Sequence, residues 1–181
     1  MKKTTLFLGL VIAAGSLFAQ KKTTTSATIS FDATTALDAG PKADNKTVIA
    51  AIETKTGSVQ FEASVKNFSF ANPLMQEHFN GEKWLNSDEF PKFTFNGNIV
   101  DPSSVNFATD GSYTTEVEGL LSVKGKEQKV KVPATIVVKD GSISASTNFS
   151  IALADYGISG APVDAGKVSK NPKINVTADF K

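Results

Sequence analysis

The chain has 181 residues, 40% of them apolar, with 19 basic side chains against 18 carboxylates and no cysteine. That near-neutral balance gives no electrostatic footprint for nucleic acid or an anionic membrane, and the missing thiol excludes a disulfide frame, a cysteine nucleophile, a thiolate metal site and a lipid-modified cysteine anchor. Every basic residue is lysine, which excludes the planar guanidinium fork used for bidentate recognition of phosphate or carboxylate.

Residues 1–19 follow the three-part plan of a secretory signal: Lys2 and Lys3, an apolar stretch from Leu6 to Ala14, then small residues up to Ala19. The apolar stretch falls short of the roughly 20 residues that a spanning helix needs. Cleavage is expected near Ala19, leaving residues 20–181 as a single soluble domain in the periplasm or outside the cell. Taking Lys2 and Lys3 from the 19 basic residues leaves 17 against 18 acidic ones, a charge of −1.

From Gln20 to Thr25 the chain reads as a lead-in of lysine and threonine. Ala27, Ile29, Phe31 and Ala33 then alternate with polar residues, the period-two pattern of a strand with one buried face. Leu37 to Lys46 reads as a loop. Two arms, Lys46 to Thr56 and Ser58 to Lys66, flank a turn at Thr56-Gly57, and the second arm sends Val59, Phe61, Ala63 and Val65 to one side. Phe68 and Phe70 switch parity from Val65, which predicts a bulge or bend.

Residues 72–90 read as a short helical corner. Asn72-Pro73 supplies a helix cap and first turn, Leu74, Met75, His78 and Phe79 follow at helical spacing, and Asn80-Gly81 stops the helix. Trp84 and Leu85 add an apolar knob before Pro91 forces the chain extended. Phe93, Phe95, Gly97 and Ile99 continue on one face to Asp101-Pro102. Asp110-Gly111 opens a long strand in which Tyr113, Val117, Gly119, Leu121 and Val123 share a face, with mid-strand Gly119 read as a bend or a point of close approach. After the turn at Lys124–Glu127, Val130, Val132, Ala134, Ile136 and Val138 face inward. Pro133 fits there only where no ladder N–H is required. Asp140-Gly141 is the strongest hairpin signal and leads into Ile143 to Leu153. A loop over 155–171 precedes a closing strand carrying Ile174, Val176, Ala178 and Phe180.

About eight long strands with one helical corner predict an all-β, antiparallel eight-stranded barrel, closed so that the first and last strands leave no edge exposed.

The blocks Met75–Asn80, Ser87–Phe95, Gly119–Gly125, Gln128–Val132 and Phe149–Ile158, in this order, resemble the YceI-like family. That resemblance implies an extended lipocalin-like barrel, periplasmic or secreted. Its apolar lumen would hold a polyisoprenoid or similar long lipid, for storage or transport in the cell envelope, without cofactor, catalytic motif or permanent membrane anchor.

The lumen candidates are then Val59, Phe61, Ala63, Val65, Phe68, Phe93, Phe95, Gly119, Leu121, Phe149 and Ile151; His78, Trp84, Asn86, Ser87 and Asp88 are the candidates for a polar mouth. Each has a simpler reading. His78 is the only histidine, so it builds no ordinary zinc site and is more simply a residue that hydrogen bonds the helix to its neighbours. Asp88-Glu89 reads as a cap and a solvated charge. No G-x-S-x-G elbow presents a nucleophile. The phenylalanines fill a solid core as readily as they line a lumen, and on the residues alone the choice stays open. A solid core would make the protein an envelope-structural or protein-interaction module instead.

Overall fold

The computed structural model describes residues 21–180, so the expected leader, its cleavage point and Gln20 lie outside the described residues. The described chain forms strands β1 (Lys21–Asp32), β2 (Lys42–Glu53), β3 (Ser58–Ser64), β4 (Ser69–Phe70), β5 (Lys92–Ile99), β6 (Gly111–Val123), β7 (Lys126–Lys139), β8 (Ser142–Ser150) and β9 (Lys173–Phe180). Helix α1 is Pro73–Asn80, and a single turn, α2, is Ala161–Asp164.

All pairings are antiparallel. The sheet runs β1-β9-β8-β7-β6-β5-β3-β2, with the two-residue β4 as a spur on β2, and β1 pairs with β2 to close the ring. The eight long strands thus make the closed barrel expected from the alternation. Two tight hairpins carry positive φ at both central residues, Lys124-Gly125 (50° and 70°) and Asp140-Gly141 (49° and 75°), as the twist of adjoining strands requires.

Three local expectations are corrected, and a fourth, the bend near Asn67, is borne out and made specific. The lysine-threonine lead-in is strand from Lys21, because Lys21–Thr24 pair with Ala50–Glu53 and tertiary pairing overrides weak local propensity. The loop expected over 37–46 ends at Lys42, where β2 is held by β1 on one side and β4 on the other. The parity switch near Asn67 is a 3-10 turn, Val65–Asn67. The last loop holds a 3-10 turn, Leu153–Tyr156, as well as α2, so β8 stops at Ser150 instead of Leu153.

β2 changes its own parity as well: Ala43 and Asn45 are buried, then Val48, Ala50 and Ile52. The register shift between Ala27 and Ile29 marks the extra residue. Asn45, wholly buried, holds this bulge. Its Nδ2 donates to Ser64 O (2.9 Å), and its Oδ1 accepts from Thr47 N and Thr47 Oγ1 (2.9 Å each). Asn45→Leu leaves the Ser64 carbonyl and the Thr47 amide without partners, and is expected to cost about 2–4 kcal/mol in urea unfolding.

The two ends of the barrel differ. At the end of the β2–β3 hairpin and the Asp140-Gly141 turn, Ile52, Ile99, Val138, Ile143 and Phe180 are fully buried. At the opposite end α1 and the chain to Pro91 fold across the opening. The cap on α1 is the expected one, with Asn72 Oδ1 accepting from Leu74 N at 2.9 Å.

Candidate functional site

Alternation in a closed barrel sends one face of every strand to the lumen, and here that face is apolar. The lumen contains a cavity of about 160 Å³, walled by side chains from all eight long strands. Facing positions include Ile29 and Phe31 on β1, Phe61 and Ala63 on β3, Phe93 and Phe95 on β5, Leu121 on β6, Val130 and Ala134 on β7, and Ala145 and Phe149 on β8. Most of these are only partly buried, so the interior is not close-packed at their level. The outward faces are mostly polar, with Ile49, Leu120 and Val137 as exposed exceptions, and carry ion pairs, among them Lys131–Glu116 and Lys129–Glu118 at 2.7 Å.

An aromatic cluster caps the lumen at the α1 end. The Phe79 ring lies 4.8 Å from Phe70, 5.6 Å from Phe68 and 5.9 Å from Phe31, and Phe68 in turn lies 5.7 Å from Phe93. Phe79, Trp84 and Leu85 all reach the cavity wall. The corner is therefore the lid of the lumen, built from the helical spacing of Phe79 and the knob at Trp84-Leu85.

Of the lumen candidates, Val59, Phe61, Ala63, Phe68, Phe93, Phe95, Leu121, Phe149 and Ile151 stand on the cavity wall, whereas Val65 and Gly119 do not. Val65 is wholly buried in the 3-10 turn after β3. Gly119 sits opposite Gly97, and the Phe95 ring lies over the pair. A Cβ at Gly119 would fall 2.7 Å from Phe95 Cζ, so the space this glycine leaves is taken by a phenyl ring of the protein itself.

Of the mouth candidates only Trp84 faces the cavity. His78 is exposed and its ring has no hydrogen-bond partner among the described residues, so it does not tie the helix to its neighbours as expected. Asn86, at φ 50°, donates to Glu89 Oε2 (2.7 Å), Ser87 is buried and donates to Asn80 O (3.2 Å), and Asp88 pairs with Lys66 (2.6 Å). These polar residues shape the corner. Wall residues such as Ile29, Val130, Ala145 and Ile158 were absent from the sequence-derived set, although the first three follow from the inward parity of their strands. Among the described residues no group of histidine and carboxylate side chains is placed to hold a metal ion.

Tyr156, at the end of the 3-10 turn, is buried with its hydroxyl lacking a hydrogen-bond partner. Burial, helped by the charge of Asp155, pushes its phenol up to about 12. A folded-state pKa raised above the unfolded value of 10 gives stability that is full below pH 10 and is lost as pH rises through about 12. Tyr156→Phe is expected to keep or raise stability at pH 7, since no hydrogen bond is lost, and to remove this part of the alkaline loss; urea midpoints of both proteins from pH 8 to 12 check it.

A match to the YceI-like domain spans residues 14–180. BcnA of Burkholderia cenocepacia is similar in structure, with 17% identity, a TM-score of 0.70, and 86% of this chain and 96% of that one covered. A polyisoprenoid binding domain from Saccharophagus degradans, implicated in plant cell wall breakdown, is 12% identical with a TM-score of 0.75, over 90% of this chain and 98% of its own. The Campylobacter jejuni YceI protein is 16% identical with a TM-score of 0.53, over 100% and 99%. No curated protein matches the chain.

Proposed function

Because the chain belongs to the YceI-like family, we propose that it carries a long, isoprenoid-like lipid in its barrel lumen, for storage or transport in the cell envelope after export. It is a binding protein and not an enzyme, in keeping with a family of non-enzymatic lipid carriers. The observation that carries the reading is the apolar cavity walled by every long strand.

The driving force is burial of the lipid tail, about 0.8 kcal/mol per CH2, less the cost of ordering a flexible chain. The cavity of about 160 Å³ is comparable to those of roughly 150 Å³ that admit one benzene ring. A long chain therefore enters only as the partly buried rings of Phe61, Phe93, Phe95 and Phe149 swing aside, with Leu121 and Ile151 as further contacts. The likeness to the polyisoprenoid binding domain supports the choice of ligand class.

The test is uptake by delipidated protein of geranylgeraniol carrying a nitrobenzoxadiazole fluorophore, alongside native mass spectrometry and organic extraction of the exported protein. Saturable uptake and a co-purifying lipid are expected, on a chain whose intact mass begins at or near Gln20. Absence of both would leave the structural or interaction module with a solid core as the better reading.

A further inference from the structure

The barrel wall has a fork on one side. β7 pairs with β6 from Val123↔Lys126 to Gly111↔Val138, but with β8 only from Lys139↔Ser142 to Thr135↔Ser146. The cause is Pro133. Its carbonyl oxygen accepts from Thr147 Oγ1 at 2.6 Å, so the backbone of Pro133 turns its hydrogen-bonding edge toward β8. On that edge the next rung needs the N–H that proline lacks.

Beyond the fork, Thr147–Ser150 pair only with β9. The chain that follows is tied to the β9 side, with Ile151 N donating to Pro172 O (3.3 Å) and Leu153 N to Lys170 O (3.0 Å). Toward β7, the 3-10 turn is held by one side-chain hydrogen bond among the described residues, from Gln128 Nε2 to Asp155 O at 2.9 Å. Val130 and Ala134 on one lip, and Thr147, Phe149 and Ile151 on the other, line the cavity and are only partly buried. The β1–β9 seam also stops short, at Thr28↔Thr177, yet Ala27, Ala178 and Phe180 beside it are 1%, 3% and 1% exposed. That seam is sealed by packing; at the β7–β8 fork Val132, Leu153 and Ile158 are buried, but Val130, Ala134, Thr147, Phe149 and Ile151 are only partly so, and the cover there is incomplete.

We propose that the seam between β7 and the lip formed by β8 and the 3-10 turn is a lateral gate through which an apolar chain enters the lumen side-on, with Gln128 as its latch. The proposal rests on the lipid-carrying reading. A side gate suits a long tail, which slides in along its length instead of threading past the aromatic lid at one end or the buried core at the other. Opening it breaks no backbone ladder, because Pro133 has already ended that ladder.

The chain has no cysteine, so the double variant Gln128→Cys with Asp155→Cys holds two thiols that a cleavable bismaleimide bridges across the seam. Bridging is expected to slow uptake of the fluorescent geranylgeraniol by at least about tenfold, as closing a gate that controls access does, and cleavage to restore it. Protein loaded before bridging should retain the probe. Pro133→Val, which supplies the missing N–H, should also slow uptake, and it decides the matter alone if the double variant fails to fold. Uptake at the parent rate in the bridged protein, or in Pro133→Val where that variant decides, overturns the gate and leaves the lumen reading standing. A parent that takes up no probe overturns both.

Discussion

Replacing Ala145 by phenylalanine is expected to abolish lipid uptake while the barrel stays folded. Ala145 lies inward on β8, between Ile136 of β7 and Ala178 of β9, and its methyl group is on the cavity wall and only partly buried. A phenyl ring there projects into a space of about 160 Å³, close to the size that one benzene ring fills. Ala63 supplies the contrast. It also lines the cavity, but it is 1% exposed and pairs with Phe93, so Ala63→Phe pushes on neighbours that already touch it. Overpacking of that kind costs about 1–3 kcal/mol, whereas the same ring at Ala145 should cost well under that range. Thermal melting and probe uptake, measured together on both variants, separate the cases. If Ala145→Phe melts as early as Ala63→Phe, the interior at β8 is close-packed and has no room to give a ligand.

Much of the barrel was readable because period-two alternation survives in a closed sheet with one apolar face. The β3 and β5 faces, the Asp140-Gly141 hairpin and the Asn72-Pro73 helix start stand where the residues put them. The start of β1 was not readable. Lys21–Thr24 have no apolar alternation, and their strand conformation comes from pairing with the end of β2, a partner about thirty residues on. The two bulges in the β1–β2 pair were equally hidden, since Asn45 looks like a loop residue until Ser64 O and Thr47 N are seen to need it.

The site divided along the same line. Parity named most wall residues, but it treats Gly119 and Leu121 alike and does not reveal that the Phe95 ring occupies the place above the glycine. The resemblance-based reading also gave polar residues near Trp84 a role at the mouth, whereas Ser87 turns its hydroxyl to Asn80 O and Asp88 its carboxylate to Lys66. The lid required tertiary information, because Phe79 meets Phe31 of β1 and Phe68 and Phe70 of the segment around β4. Pro133 was the reverse case. The sequence already said that no ladder N–H is wanted there, and the fork beside β8 is the consequence.

Gly119→Leu is expected to prevent folding, and Gly119→Ala to weaken the fold by about 1–3 kcal/mol or more through overpacking. The ordinary effect of such a change at a permissive site is a gain of about 0.4–1 kcal/mol, because alanine restricts the unfolded chain. Sterics decide the sign here. An added Cβ collides with Asn96 O and Gly97 Cα on the neighbouring strand and lies 2.7 Å from Phe95 Cζ. The phenyl ring has other rotamers, but the backbone of β5 has no freedom to retreat, since it is paired to β6 on one side and to β3 on the other. The pair Gly119→Ala with Phe95→Leu should therefore recover only part of the loss, which a double-mutant cycle in urea measures. Full recovery would mean that the ring alone makes the collision and the strands yield, and unchanged stability of Gly119→Ala would mean that glycine is not required at this crossing. The expected outcome assigns Gly97 and Gly119 to the wall, where they let two strands approach and seat Phe95, and leaves the side chains of Phe95, Leu121 and Phe149 to meet the lipid.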